Sequence, residues 1–149
     1  MGKNCAFSGH RYGLEEFDAA LLERVVKNLI TGGVETFYCG MAAGFDLAAA
    51  ECVLALKKNY CVRLVACIPC EGQSDAFSER DKDRYNRILE GCDEQIMLSH
   101  RYFNGCMQAR DRFMVDNSGV LVCFLRKPDG GTFYTVNYAK KKGIKIIEL

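Results

Sequence analysis

The sequence predicts an α/β fold, a Rossmann-like three-layer sandwich around a mainly parallel six-stranded sheet. Short apolar segments alternate with helical ones along all 149 residues, the rhythm that builds βαβ units. No linker, low-complexity tract or internal repeat interrupts that alternation, so 1–149 reads as a single domain.

The first strand is expected over 4–7. A helix over 16–30 follows, with Phe17, Leu21, Leu22, Val25, Val26, Leu29 and Ile30 at spacings of three and four and a stop at Gly32-Gly33. A strand over 34–39 leads to a helix over 46–58, whose Ala48, Ala49 and Ala50 let it lie close to the sheet. After a strand over 62–68, the helix over 78–90 is so charged that only Tyr85, Ile88 and Leu89 form a packing stripe. A strand over 95–98 precedes a helix over 104–116 carrying Met107, Phe113 and Met114. The last units are a strand over 120–125, a helix over 132–142 capped by Thr132 and stopped by Gly143, and a strand over 144–149.

Composition narrows the function. With 49% hydrophobic and 26% charged residues, the chain is ordinary for a soluble domain and long enough to bury a core without disulfides or metal. Lys plus Arg number 20 against 19 Asp plus Glu, so a net charge of +1 argues against an anionic membrane and against nucleic acid as a partner. A small anion stays open, because local clusters survive a neutral total. The nine cysteines sit mostly in apolar runs, the start of the chain carries no signal-peptide pattern, and no stretch has membrane-spanning length. A reducing cytoplasm is the expected compartment.

The run Gly40-Met41-Ala42-Ala43-Gly44-Phe45-Asp46 lies between an expected strand and an expected helix, where backbone N–H groups can receive an anion. Its GxxxGxD spacing is neither GxGxxG nor the Walker pattern, and a plain tight turn is the competing reading. Asp46 either contacts a ligand hydroxyl or caps the second helix. Ligands in such sheets bind beyond the carboxyl ends of the strands, where strand order reverses. If the order is the common 3-2-1-4-5-6, the loops Ser8-Gly9-His10-Arg11 and Ser99-His100-Arg101-Tyr102 flank that point and bring both histidines to one crevice. Gly130-Gly131-Thr132 opens the last helix, and Arg11, Arg101, Arg126 and Lys127 then converge on a phosphorylated ligand. Cys67-Ile68-Pro69-Cys70 has redox-type spacing but no helix start beside it, and its simplest role is a turn. No cofactor motif and no metal-ligand spacing stands out.

These motifs in order, together with Pro69-Cys70 and Gln73, Tyr102, Gly105 and Arg110, Met114-Val115-Asp116, and Tyr138-Ala139, resemble the YpsA-like family of the SLOG superfamily, related to DprA and to the LOG enzymes. The resemblance implies a pocket for a nucleotide or nucleotide-derived ligand, touched by Ser8, Gly9, His10, Arg11, Gly40, Met41, Gly44, Asp46, Arg110, Gly131 and Thr132. It also implies a possible homodimer. LOG enzymes carry a catalytic glutamate three residues after the motif threonine, and Thr135 stands there instead, which speaks against LOG-type hydrolysis. The leading expectation is therefore a nucleotide-ligand binding protein, a sensor or regulator. A hydrolase of an N-glycosidic or phosphate-ester bond, with His10 or Asp46 as acid or base, is the alternative. Single-stranded DNA binding through Tyr102, Phe103, Arg110 and Arg112 is the third.

Overall fold

Six strands, Asn4–Gly9 (β1), Thr36–Cys39 (β2), Arg63–Ile68 (β3), Glu94–Met97 (β4), Val120–Phe124 (β5) and Lys145–Glu148 (β6), form one sheet in a computed structural model that describes residues 2–149. Between them run the helices Ala19–Thr31 (α1), Phe45–Leu56 (α2), Glu79–Gly91 (α3), Cys106–Asp116 (α4) and Gly130–Lys142 (α5). All five strand pairings are parallel, as expected where every connection is a helical crossover.

The two-residue period of the strands divides the core. Cys5, Phe7, Phe37, Leu64, Val122 and Phe124 pack with α1, α2 and α3, whereas Ala6, Val65, Cys67, Leu121 and Cys123 pack with α4 and α5. Cys67 is thus a buried strand residue, its thiol pushed up to about 12 by burial, with no helix start to activate it.

Local chemistry sets the helix ends. Asp18 caps α1 by accepting the N–H groups of Ala20 and Leu21, which leaves 16–17 outside the helix expected there. Gly143, at φ 73°, ends α5 in the left-handed conformation. Thr132 lies inside the first turn of α5 rather than at its cap, a position held by Asp129. Asp46 likewise lies inside α2, whose cap is Gly44.

The strand order is β4-β3-β2-β1-β5-β6, and here the sequence-based expectation fails. The neighbour of β1 on its far side is β5, while β4 lies at the opposite edge. A four-residue strand with only Ile96 partly covered suits an edge, and α4 then crosses back over the sheet to reach β5. Order reverses between β1 and β5, so the loops that follow these two strands, with the helix starts beside them, define the crevice.

Candidate functional site

A cavity of about 310 Å³ opens at this reversal point. Ser8, Gly9, His10 and Arg11 line it from the end of β1, Asp46 from α2, Arg110 from α4, and Gly131 and Thr132 from α5. Eight of the expected contact residues are thus brought together. Gly40, Met41 and Gly44 stand behind this wall and shape it.

Gly9, Gly40 and Gly44 each have a steric reason, whereas a Cβ on Gly131 would meet nothing within 4 Å. A Cβ on Gly9 would fall 2.3 Å from the Phe45 ring, and one on Gly40 would fall 2.9 Å from the Arg110 guanidinium. Gly44 adopts φ +82°, and a Cβ there would lie 2.5 Å from the Arg11 carbonyl oxygen. Met41 is fully buried at φ 62°, a conformation that costs a non-glycine residue about 1–2 kcal/mol. Three N–H groups of this loop are occupied: Met41 donates to Cys39 Sγ, Ala42 to Asp46 Oδ2 and Phe45 to the His10 carbonyl. The loop therefore positions Asp46 and Arg110 at the cavity.

Arg110 is buried and donates through Nε to Asp111 Oδ1 at 2.7 Å and through Nη1 to the Gly40 carbonyl, which also accepts from Gln73 Nε2. Burial opposes its charge, yet the Asp111 and Asp46 carboxylates together hold it more firmly protonated than usual. Thr135 Oγ1 lies 2.9 Å from both Asp111 Oδ2 and the Gly131 carbonyl, linking α4 to the start of α5. Asp46 is 5% exposed, and burial pushes its carboxyl up to about 7, with Asp111 adding and Arg110 opposing. It accepts the Ala42 N–H on Oδ2, while Oδ1 has no hydrogen-bond partner.

His10 Nε2 accepts the Arg126 N–H at 2.8 Å, so the neutral ring carries its proton on Nδ1 and ties the β1 loop to the β5 loop. Partial burial, Lys127 and Arg126 lower its pKa. The cations divide. Arg11 and Lys127 line the cavity, but Arg126 is turned away, bonded to Glu16 and the Leu149 carbonyl. Arg101 and His100 lie in the loop after the edge strand β4, with His100 Nδ1 3.6 Å from Glu71, so neither reaches the crevice. Lys127 and the first turn of α5, which has no side-chain cap, leave the anion-accepting character on the β5 side.

Tyr12, Ala42, Met107 and Asp111 also line the cavity; the sequence places Ala42 in the glycine loop and Met107 among the apolar residues of the fourth helix, and marks neither as a ligand contact. Asp111 was legible only through its place next to Arg110 on a helix; Tyr12 gave no signal beyond following Arg11. Among the described residues no group of three or more His, Cys, Asp or Glu side chains could hold a metal ion. No helix among them is long and apolar enough to cross a membrane.

Fold and cavity define a Rossmann-like domain with a polar, partly cationic pocket at its switch point. The YpsA family model, described as the YspA SLOG family, matches residues 5–146, and the chain belongs to that family. It is 29% identical over 140 residues to UPF0398 protein BH1768 of Halalkalibacterium halodurans, covering 91% of this chain and 74% of that protein. It is 30% identical over 131 residues to the uncharacterized SPbeta prophage-derived protein YoqJ of Bacillus subtilis, covering 78% and 77%. Among solved structures, DNA processing protein A (DprA) of Streptococcus pneumoniae superposes with a TM-score of 0.72 at 19% identity, over 99% of this chain and 50% of that one. The Helicobacter pylori DprA, solved for its single-stranded DNA binding mode, gives 0.69 at 19%, over 97% and 64%. These likenesses establish a shared fold. They also overturn the expectation that neutral charge argues against nucleic acid, since a protein of this fold binds single-stranded DNA. Net charge sums the whole surface and hides local clusters of cations, and it is such clusters that contact phosphates.

Proposed function

We propose that the protein binds a nucleotide or nucleotide-derived small ligand in the β1/β5 crevice and acts as a sensor or regulator in a reducing cytoplasm. One observation carries this: Arg11, Lys127 and the uncapped first turn of α5 share a cavity of about 310 Å³ at the switch point. That volume lies at the small end of ligand sites, which run from roughly 300 to 1,000 Å³. The anionic end of the ligand sits on the β5 side, away from the Asp46 carboxyl. Thermal unfolding with ADP-ribose, NAD, nucleoside monophosphates and cyclic nucleotides tests it, because a ligand that binds only the folded state raises the melting temperature. A rise with at least one of these supports the proposal; a rise only with a ligand lacking phosphate rejects it.

Single-stranded DNA is a second candidate occupant, favoured by the DprA fold and by Tyr12, 82% exposed on the cavity lip beside Arg11. Arg110 cannot serve it as a surface cation, being buried against Asp111. Retardation of an oligothymidylate that weakens with added salt would support this occupant. Hydrolysis of an N-glycosidic or phosphate-ester bond draws support from Asp46, whose carboxyl titrates near neutrality and could transfer a proton. Release of free base or sugar phosphate, absent in Asp46→Asn, is its test.

A further inference from the structure

Asp46 Oδ1 is a buried acceptor without a partner, in a side chain that lines the cavity. An unmade hydrogen bond of this kind costs about 1–3 kcal/mol, more for a charged group. The neighbouring cation does not repair it, since Arg110 directs Nε to Asp111 and Nη1 to Gly40. Phosphate is the wrong occupant, because its oxygens are acceptors and carry the same sign of charge. A cationic amine is disfavoured by Arg11, Arg110 and Lys127 around the same cavity. What remains is a neutral hydrogen-bond donor, held apart from the anionic end of the ligand at Lys127 and α5.

We propose that Asp46 is the specificity-determining residue of the pocket and selects ribosyl over deoxyribosyl ligands by receiving a ribose hydroxyl on Oδ1; this rests on the nucleotide reading above. A hydroxyl both donates and accepts, so it satisfies the carboxyl in either protonation state. The N–H of a base only donates, and it would lose its partner when the carboxyl binds a proton. Because this carboxyl titrates near 7, both states occur around neutral pH and the hydroxyl is the better match. A pocket built around such a hydrogen bond rejects analogues that lack the group, since the buried acceptor is then left unpaired.

Calorimetric titration with AMP, 2′-deoxyAMP, 3′-deoxyAMP and ribose 5-phosphate tests this on the wild-type chain and on Asp46→Ala and Asp46→Asn. The expected result is AMP binding at least about ten-fold tighter than one of the two deoxy analogues, with the difference gone in Asp46→Ala. Asp46→Asn is expected to keep part of it, and it serves alone if the alanine variant does not fold. Equal affinity for AMP and both deoxy analogues overturns the hydroxyl assignment while the nucleotide pocket stands. A preference that persists undiminished in both variants also overturns it. Absence of binding by AMP and ribose 5-phosphate alike, with no response across the nucleotide panel, removes the pocket reading and this inference with it.

Discussion

At Asp46, burial works against stability in a way pH can expose. The carboxyl ionises near 3.8 in an unfolded chain and near 7 in the folded one, so the unfolded state gives up its proton first as pH rises. Its contribution is most favourable below pH 4 and is lost between about 4 and 7, a difference on the order of 4 kcal/mol. Asp46→Asn is therefore expected to melt above the wild type at pH 8, with the gap closing toward pH 4; equal melting temperatures at pH 8 would contradict this. His10 has the opposite sign. Its lowered pKa means that stability falls with pH below about 6.5, as the unfolded ring takes up a proton that the folded ring resists. His10→Ala should remove that acid-side decline and loosen the β5 loop, seen as faster amide exchange at Arg126, whose N–H the ring accepts. Ser8, Gly9, His10 and Arg11 could be read from sequence because a short polar loop after an apolar strand is a local signal. Asp111 is legible only as the neighbour of Arg110, because the rest of its role arises from Thr135, 24 residues away.

Among the elements, the two glycine-bearing helix starts make opposite predictions. Gly44→Ala at the cap of α2 combines φ +82° with a Cβ 2.5 Å from backbone, so it should destabilise by about 2 kcal/mol or more in denaturant melts. Gly131→Ala in α5 meets nothing within 4 Å and should change stability by less than about 1 kcal/mol, while weakening phosphate ligands by crowding the turn. A large stability loss at Gly131 or none at Gly44 would contradict this. Helices and strands were legible because their patterns repeat over several residues, and the stops at Gly32-Gly33 and Gly143 follow from backbone chemistry. Strand order was not, because adjacency depends on where a crossover lands. The polar, four-residue β4 held the available hint, since such a strand belongs at an edge. Placing it there removes His100 and Arg101 from the crevice and gives that position to the β5 loop with Lys127.

Over the whole molecule, all nine cysteines are free thiols, and Cys61 is the exposed one, with Cys52 and Cys92 half-buried. Burial first, then Glu23 for Cys52 and Asp93 for Cys92, pushes the two half-buried thiols up to about 11. A thiol reagent at pH 7.5 should therefore titrate one fast group in the native protein and all nine after denaturation; more than three in the native state would contradict the packing. Family and fold together place a small pocket where the strand order reverses, and the comparisons correct what net charge alone suggested about DNA. The most direct test of the pocket is two-dimensional NMR of the labelled 149-residue chain during titration with AMP. Saturable shifts concentrated at Gly9–Tyr12, Ala42–Asp46 and Lys127–Thr132 are predicted. Shifts centred instead on the groove between α1 and α2, around Glu23, Lys27, Cys52 and Asn59, would contradict the account.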